Sequence, residues 1–182
     1  LWQRNPTSEP ARIRKNPATS HRGSSGRLSI ITAKMVLVIS PIPADRASQT
    51  GAANVWSTIS VDPARNLVFV PTTSPSTDYY GGGRQFDIPL SNSIVALDGA
   101  TGKVAWHFQT VRHDLFDYDL VGHPLLVDIR RDGRTVPAAL LQTKMGWLYG
   151  FERDSGKPLW PIVERPVPAS DVPGEKASPT QP

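Results

Sequence analysis

Three carboxylates lie within six residues of each other, at Asp114, Asp117 and Asp119. Crowded acids repel one another, and in a partly buried site this repulsion raises the pKa of one of them. A carboxylate with a raised pKa suits the abstraction of a proton from a substrate hydroxyl, and Asp117 is the candidate base. The simpler interpretation is a turn whose acids accept hydrogen bonds from backbone N–H groups, which we prefer for Asp114 and Asp119.

Two further side chains have types that could bind a ligand beside such a base. Lys144 follows Asp117 by 27 residues at the end of a predicted strand, where an ammonium can stabilise developing negative charge. Trp56 offers a flat face for a planar ligand. Residue type alone favours ordinary roles, because an isolated lysine is usually a solvated surface group and a tryptophan usually a core residue.

The sequence excludes the common short metal-binding motifs. A calcium loop of the EF-hand type starting at Asp114 would need a glycine at its sixth position and a glutamate where Leu125 stands. His107, His113 and His123 fit no zinc spacing. The chain has no cysteine, which removes thiolate ligands and disulfides.

An eleven-residue pattern occurs twice and indicates how these residues are positioned. ALDGATGKVAW (residues 96–106) returns as GFERDSGKPLW (residues 150–160), 54 residues later. A period of this size with strand-like residues between the copies is typical of a β-propeller blade. The acid and hydroxyl residues would cap a tight turn that glycine allows, and the tryptophan would wedge against the neighbouring blade.

The first copy resembles the tryptophan-docking motif of the eight-bladed quinoprotein dehydrogenases, which bind pyrroloquinoline quinone (PQQ). Residues 51–182 also resemble the membrane-type quinoprotein glucose dehydrogenase branch, notably at VRHDLFDYD (111–119) and SPTQP (178–182). The resemblance implies an all-β fold of four-stranded antiparallel sheets, a partial eight-bladed propeller. Because a full ring needs roughly 400 residues, we expect a fragment of about two to three blades that is inactive alone.

The same resemblance implies roles for individual residues. Trp56 would stack on PQQ, Asp117 in the Phe-Asp step would accept the alcohol proton, and Lys144 would donate to the quinone oxygens. The cofactor is accompanied by calcium in the family. The family's Asn-Pro step for calcium is a Ser-Pro step here, so Ser74 offers a weaker ligand, with Asp117 as a second candidate.

Strand and turn signals agree with an all-β body. We predict hairpins around residues 62–66 and 131–133, strands on both sides of the first docking turn, and a strand at residues 147–151 that leads into the second. Residues 72–90, rich in Gly, Pro, Ser and Tyr, are predicted to form a long loop of the kind that lines sites.

Composition and the extent of the resemblance divide the chain into three regions. Residues 1–40 are predicted to be a disordered or misassigned leader, residues 41–165 propeller blades, and residues 166–182 a truncated Pro-rich connector lying over a blade edge or disordered. Residues 1–35 carry seven Lys or Arg and one acid, yet they lack interleaved aromatic residues, so we expect no nucleic-acid partner. No signal peptide or membrane span is recognisable.

Two classes of function compete. In the first, the chain belongs to an enzyme that oxidises a sugar, polyol or other alcohol and passes electrons to a quinone or cytochrome. By family this enzyme would be periplasmic or lie on the periplasmic face of the inner membrane. In the second, PQQ-like repeats form a non-catalytic binding scaffold. Trp56, Asp117 and Lys144 together favour the enzyme, because a scaffold has no need of all three.

Overall fold

The computed structural model describes residues 54–182, and the predicted leader lies outside them. The described residues form antiparallel sheets and contain no α-helix, so the all-β prediction is confirmed. The first sheet has the strand order β1-β2-β3-β4, with β1 Ser60–Asp62, β2 Leu67–Pro71, β3 Ser93–Asp98 and β4 Val104–Gln109. The second has the order β5-β6-β7, with β5 Leu125–Arg131, β6 Arg134–Gln142 and β7 Leu148–Glu152, and a small pair joins β8 Arg165–Pro166 to β9 Thr180–Gln181.

Both predicted hairpins form. In the first, Asp62 Oδ1 accepts the backbone N–H of Arg65 at 3.1 Å, and Asn66 takes the left-handed conformation with φ 53°. In the second, Asp132 and Gly133 are both left-handed, with φ 49° and 75°. Two consecutive left-handed residues are what a two-residue hairpin connection requires, which explains the Asp-Gly pair.

The two docking turns share one hydrogen-bond pattern. Asp98 Oδ1 accepts the N–H of Thr101 at 2.7 Å and its hydroxyl at 2.6 Å, and Gly102 is left-handed with φ 71°. In the second turn the Ser155 hydroxyl donates to Glu152 Oε2 at 2.7 Å. The acid and hydroxyl positions of the repeat therefore do what the sequence pattern predicted.

Trp106 joins the two sheets. Its ring lies edge-on to Phe69 of the first sheet at 5.8 Å between centroids and 5.7 Å from Phe151 of the second. Its indole N–H donates to the carbonyl of Arg153 at 3.0 Å. A Cβ at Gly156 would lie 2.5 Å from the indole, so the glycine of the second docking turn allows the ring to approach. The predicted wedge between neighbouring blades is present.

Trp160 occupies the equivalent place in the second copy, but the sheet around it is shorter. The Leu159 N–H donates to the Gly150 carbonyl at 2.8 Å, and the fourth strand is otherwise reduced to a single bridge between Phe151 and Pro158. Proline cannot donate to a ladder, so Pro158 prevents a regular strand here. The first sheet has the four strands expected of a blade, and the second has three strands with this bridge in the place of the fourth.

An ion-pair network supports the contact between the sheets. Arg153 donates to Asp62 Oδ2 at 2.8 Å, and both side chains are about nine-tenths buried or more. Arg153 also reaches Asp128 at 3.3 Å, while Arg65 pairs with Asp62 and with Asp154. Burial by itself would raise the pKa of Asp62, but the hydrogen bonds from Arg153 and Arg65 outweigh it and lower that pKa.

A long loop, residues 72–92, connects β2 to β3 and contains a 3₁₀ turn at Gly81–Gly83. The first N–H of that turn donates to Glu175 Oε1 at 2.9 Å. Gln181 exchanges two hydrogen bonds with the backbone of Arg112, at 2.8 and 2.7 Å. The segment after β8 therefore folds back over the loops of the first sheet. The division of the chain at residues 40 and 165 stays a prediction.

Candidate functional site

The turn after β4 is built around Asp114. This carboxylate is 1% exposed and accepts the N–H groups of Phe116 at 2.9 Å and Tyr118 at 2.6 Å, together with the amide of Asn92 at 2.7 Å. Arg84, also buried, donates to the Asp114 carbonyl at 2.7 Å. Asp114 is thus the turn-capping acid that the simpler interpretation proposed, and it fixes the backbone that carries Asp117.

Lys144 meets Asp117 across the two sheets. The lysine lies in the tight turn after β6, where the Thr143 N–H donates to the Trp147 carbonyl at 3.0 Å. Its ammonium donates to the Asp117 carbonyl at 2.8 Å and to Asp117 Oδ2 at 3.2 Å. Asp117 itself has a left-handed backbone, with φ 57°. Its carbonyl oxygen and one of its carboxylate oxygens both face the lysine ammonium. The structure brings together the two residues that the sequence paired.

Asp119 completes this group. Its Oδ2 accepts the Lys144 ammonium at 3.2 Å and its Oδ1 accepts the Ser74 N–H at 2.8 Å. Asp117, Asp119 and Lys144 are named here the acid–lysine cluster. Sequence reasoning had given Asp119 only a backbone-capping role and missed the ion pair. No local signal links residue 119 to residue 144, because the contact depends on how β6 is placed beside the turn.

The electrostatics of the cluster follow from burial and pairing. Burial raises the pKa of Asp119, against the opposing effect of the Ser74 N–H and the Lys144 ammonium. Repulsion from Asp117 adds the smallest contribution to that rise, so desolvation rather than crowding is the main cause. Burial alone would lower the pKa of Lys144, but its hydrogen bonds with Asp119 and Asp117 outweigh this and raise it.

Trp56 is 60% exposed, which is inconsistent with a core tryptophan. The neighbouring Ser57 hydroxyl donates to the Val121 carbonyl at 2.7 Å, so the segment that carries the indole runs beside the end of the 114–121 turn. An exposed ring next to the chain of the acid–lysine cluster is available to a planar ligand.

Ser74 presents an unused oxygen at the same place. Its hydroxyl oxygen is buried without a hydrogen-bond partner in the described part of the chain, while its N–H is held by Asp119. A buried hydroxyl without a partner is costly and suits a ligand role. Calcium, however, needs six to eight oxygens, and residues 54–182 bring together no group of three His, Cys, Asp or Glu side chains that could hold a metal. The described residues do not by themselves fit a calcium site.

Comparisons with known proteins identify the family to which this fold belongs. The family model described as PQQ: Glucose/ethanol/alcohol dehydrogenase, beta-propeller domain, matches residues 40–182. The chain is 44% identical over 133 residues to quinate/shikimate dehydrogenase (quinone) of Acinetobacter baylyi, covering 72% of this chain and 16% of that protein. It is 37% identical over 143 residues to quinoprotein glucose dehydrogenase of Escherichia coli strain K12, covering 78% of this chain and 18% of that one.

Solved structures give the same fold. A quinohemoprotein alcohol dehydrogenase from Pseudomonas putida HK5 superposes with a TM-score of 0.56 at 28% identity, covering 59% of this chain and 16% of that one. A europium-containing methanol dehydrogenase superposes with a TM-score of 0.54 at 26% identity, covering 64% and 22%. The predicted partial propeller is confirmed, and the chain spans less than a quarter of the length of these relatives. The chain belongs to the PQQ-type glucose/ethanol/alcohol dehydrogenase β-propeller family.

Proposed function

We propose that this chain supplies part of the site of a PQQ-dependent dehydrogenase that oxidises a sugar, polyol or other alcohol. The observation that carries the proposal is the contact between Lys144 and Asp117, which are 27 residues apart. Asp117 lies in the connection between β4 and β5, and Lys144 lies in the turn between β6 and β7 of the second sheet. A partly exposed carboxylate paired with a lysine suits removal of a hydroxyl proton followed by stabilisation of negative charge.

Asp117 acts as the general base in this proposal. A carboxylate oxygen that is not fully enclosed can meet a substrate hydroxyl, and the Asp117 side chain is 23% exposed. As the proton arrives on Asp117, the alcohol oxygen loses it and the adjacent carbon becomes able to release hydride. Lys144, held against both carboxylates, remains a cation beside the reacting group.

Two residues would hold the cofactor. Trp56 offers an exposed aromatic face on which PQQ would stack, and Lys144 offers an ammonium that would donate hydrogen bonds to the PQQ oxygen atoms. PQQ, when bound, supplies an ortho-quinone that accepts two electrons and a proton from the alcohol. Ser74 is the residue of this chain that a calcium ion accompanying PQQ would approach, and we derive no step through calcium because its other ligands are not among the described residues.

We infer the electron acceptor and the cellular compartment from the family to which the chain belongs. A quinone or a cytochrome would take the electrons, in the periplasm or at the periplasmic face of the inner membrane. Two relatives carry the word quinone in their names, the quinate dehydrogenases of Acinetobacter baylyi and Xanthomonas campestris. Among residues 54–182, no helix has the length and apolar character needed to cross a bilayer.

A PQQ titration of the chain, followed by quenching of tryptophan fluorescence with and without calcium, tests the proposal. We expect saturable binding, and Trp56→Ala should weaken it about tenfold because the planar ligand loses its stacking face. Trp160→Ala is the matched control, since Trp160 is also exposed but lies in the second docking turn. Absence of PQQ binding by the chain and by any longer protein that contains it would instead favour the scaffold.

A further inference from the structure

Asp119 ties three separate segments together. Its Oδ1 accepts the N–H of Ser74 on the long loop at 2.8 Å, and its Oδ2 accepts the ammonium of Lys144 in the β6–β7 turn at 3.2 Å. Asp119 is 9% exposed, so its bond to Ser74 forms away from bulk water, while its bond to Lys144 is partly buried because the lysine side chain is 31% exposed. A charge-assisted bond in such a place is stronger and better defined than one on the surface.

The Asp117 carboxylate lies at the same 3.2 Å from the ammonium but is itself less fixed in place. The Asp117 side chain is 23% exposed against 12% for Asp119. Among the described residues, its carboxylate receives a hydrogen bond from Lys144 alone, whereas the Asp119 carboxylate is also fixed by the Ser74 N–H. Asp119 is therefore the better-anchored partner of the lysine.

We propose that Asp119 is a positioning residue that keeps Lys144 in place beside Asp117. The proposal rests on the function proposed above for the use it gives to Lys144. When the Asp117 carboxylate accepts a proton it becomes neutral and its attraction for the ammonium weakens, which leaves the Asp117 carbonyl at 2.8 Å and the Asp119 carboxylate at 3.2 Å to hold Lys144. A second carboxylate that does not take the substrate's proton keeps Lys144 where its charge is needed. The two acids thus have different roles: Asp117 accepts the proton, and Asp119 holds the Lys144 ammonium.

Lysine acetylation by an activated ester, followed by peptide mass spectrometry, tests the placement in the chain without PQQ. Lys103 and Lys157 are exposed and serve as internal references. In the unaltered chain Lys144 should react more slowly than both, because its ammonium is held by two carboxylates. Asp119→Asn should speed acetylation of Lys144 by roughly fivefold, the factor expected for one lost hydrogen bond of ordinary strength in a partly exposed place, with the references unchanged.

Asp117→Asn is the matched control, the same substitution on the other carboxylate. The proposal expects it to change Lys144 acetylation less than Asp119→Asn does. A larger effect of Asp117→Asn, or no effect of Asp119→Asn on Lys144, would overturn it. Should Asp119→Asn unfold the chain, the unaltered protein still decides, since Lys144 reacting as fast as Lys103 would show that it is not held.

PQQ titration of the same variants separates this proposal from the function on which it rests. If Asp119→Asn and Lys144→Ala weaken PQQ binding equally, and the double variant is no weaker, the carboxylate acts through the lysine. Additive losses would show that Asp119 acts independently of Lys144 and would overturn the proposal. Protected Lys144, with no PQQ binding by the chain or by any longer protein that contains it, would leave the positioning intact and reject the proposed function.

Discussion

At the scale of single residues, Gly156 shows how closely the two sheets approach. It is left-handed, with φ 69°, and a Cβ on it would lie 2.5 Å from the Trp106 indole. Gly156→Ala should therefore lower the free energy of unfolding by about 2–4 kcal/mol, combining backbone strain with displacement of the ring. Urea denaturation followed by circular dichroism measures it.

Gly133→Ala is the control for the backbone term. Gly133 is also left-handed, with φ 75°, but a Cβ there would meet nothing within 4 Å. We expect this variant to cost about 1 kcal/mol, from strain alone. Equal losses at both glycines would contradict the docking of Trp106 on the second turn.

Asp117 separates binding from chemistry. Asp117→Asn removes the proton acceptor but keeps a side chain of the same shape, so a protein containing this chain should still bind PQQ. Its alcohol-dependent dye reduction should fall by about 10²–10⁴-fold, the usual contribution of a general base. Dye reduction undiminished in the variant would reject Asp117 as the base.

The candidate site could be predicted from the sequence only where a motif named its members. Asp117 and Lys144 were paired in advance, and the structure places them 3.2 Å apart. Asp119 was assigned a capping role alone, because its second partner comes from a turn 25 residues away along the chain. Its link to Ser74 spans 45 residues and uses a backbone N–H, which no residue type signals.

At the scale of elements, local patterns were sufficient wherever a turn closes within a few residues. The hairpins and both docking turns depend on hydrogen bonds between residues two to four apart, so residue order specifies them. The missing fourth strand of the second sheet was not predicted. Pro158 and Pro161 lie on either side of Trp160, and each lacks the N–H group with which a strand residue donates to its neighbour.

The ion pair between Asp62 and Arg153 makes the contact between the sheets sensitive to acid. The folded chain lowers the pKa of Asp62 below its ordinary value of 3.8. Stability from this pair is therefore complete above the pKa of Asp62 in the unfolded chain and is lost as the pH falls through the lowered value in the folded chain. Asp62→Asn should cost about 3 kcal/mol at pH 7, because it leaves the buried Arg153 charge unbalanced.

Urea denaturation at pH 7 and below pH 4 measures both effects. The difference between the unaltered chain and Asp62→Asn should shrink as the pH falls. Asp128→Asn is the control, because Asp128 contacts the same arginine but its side chain is 63% exposed. That variant should cost less than about 1 kcal/mol. A constant difference across the pH range would show that Asp62 does not titrate with folding.

At the scale of the whole molecule, the two sheets are repeats whose stability depends on their shared interface. One hydrophobic core spans both sheets, with Phe69, Ile94 and Trp106 from the first and Leu141 and Phe151 from the second. The acid–lysine cluster lies across the same junction, since Asp117 and Asp119 follow the first sheet and Lys144 belongs to the second. Changes that loosen the sheet contact should therefore also disturb the candidate site.

The two docking tryptophans provide the sharpest test of this repeat arrangement. Trp106 is 9% exposed between the sheets, whereas Trp160 is 49% exposed at the equivalent place in the second copy. Trp106→Ala should lower the free energy of unfolding by about 3–5 kcal/mol, because it empties the core between the sheets. Trp160→Ala should cost about 1 kcal/mol or less, since little of its surface is removed from water in this chain. Equal costs, measured by urea denaturation of the two variants, would show that the sheets do not stabilise each other through Trp106.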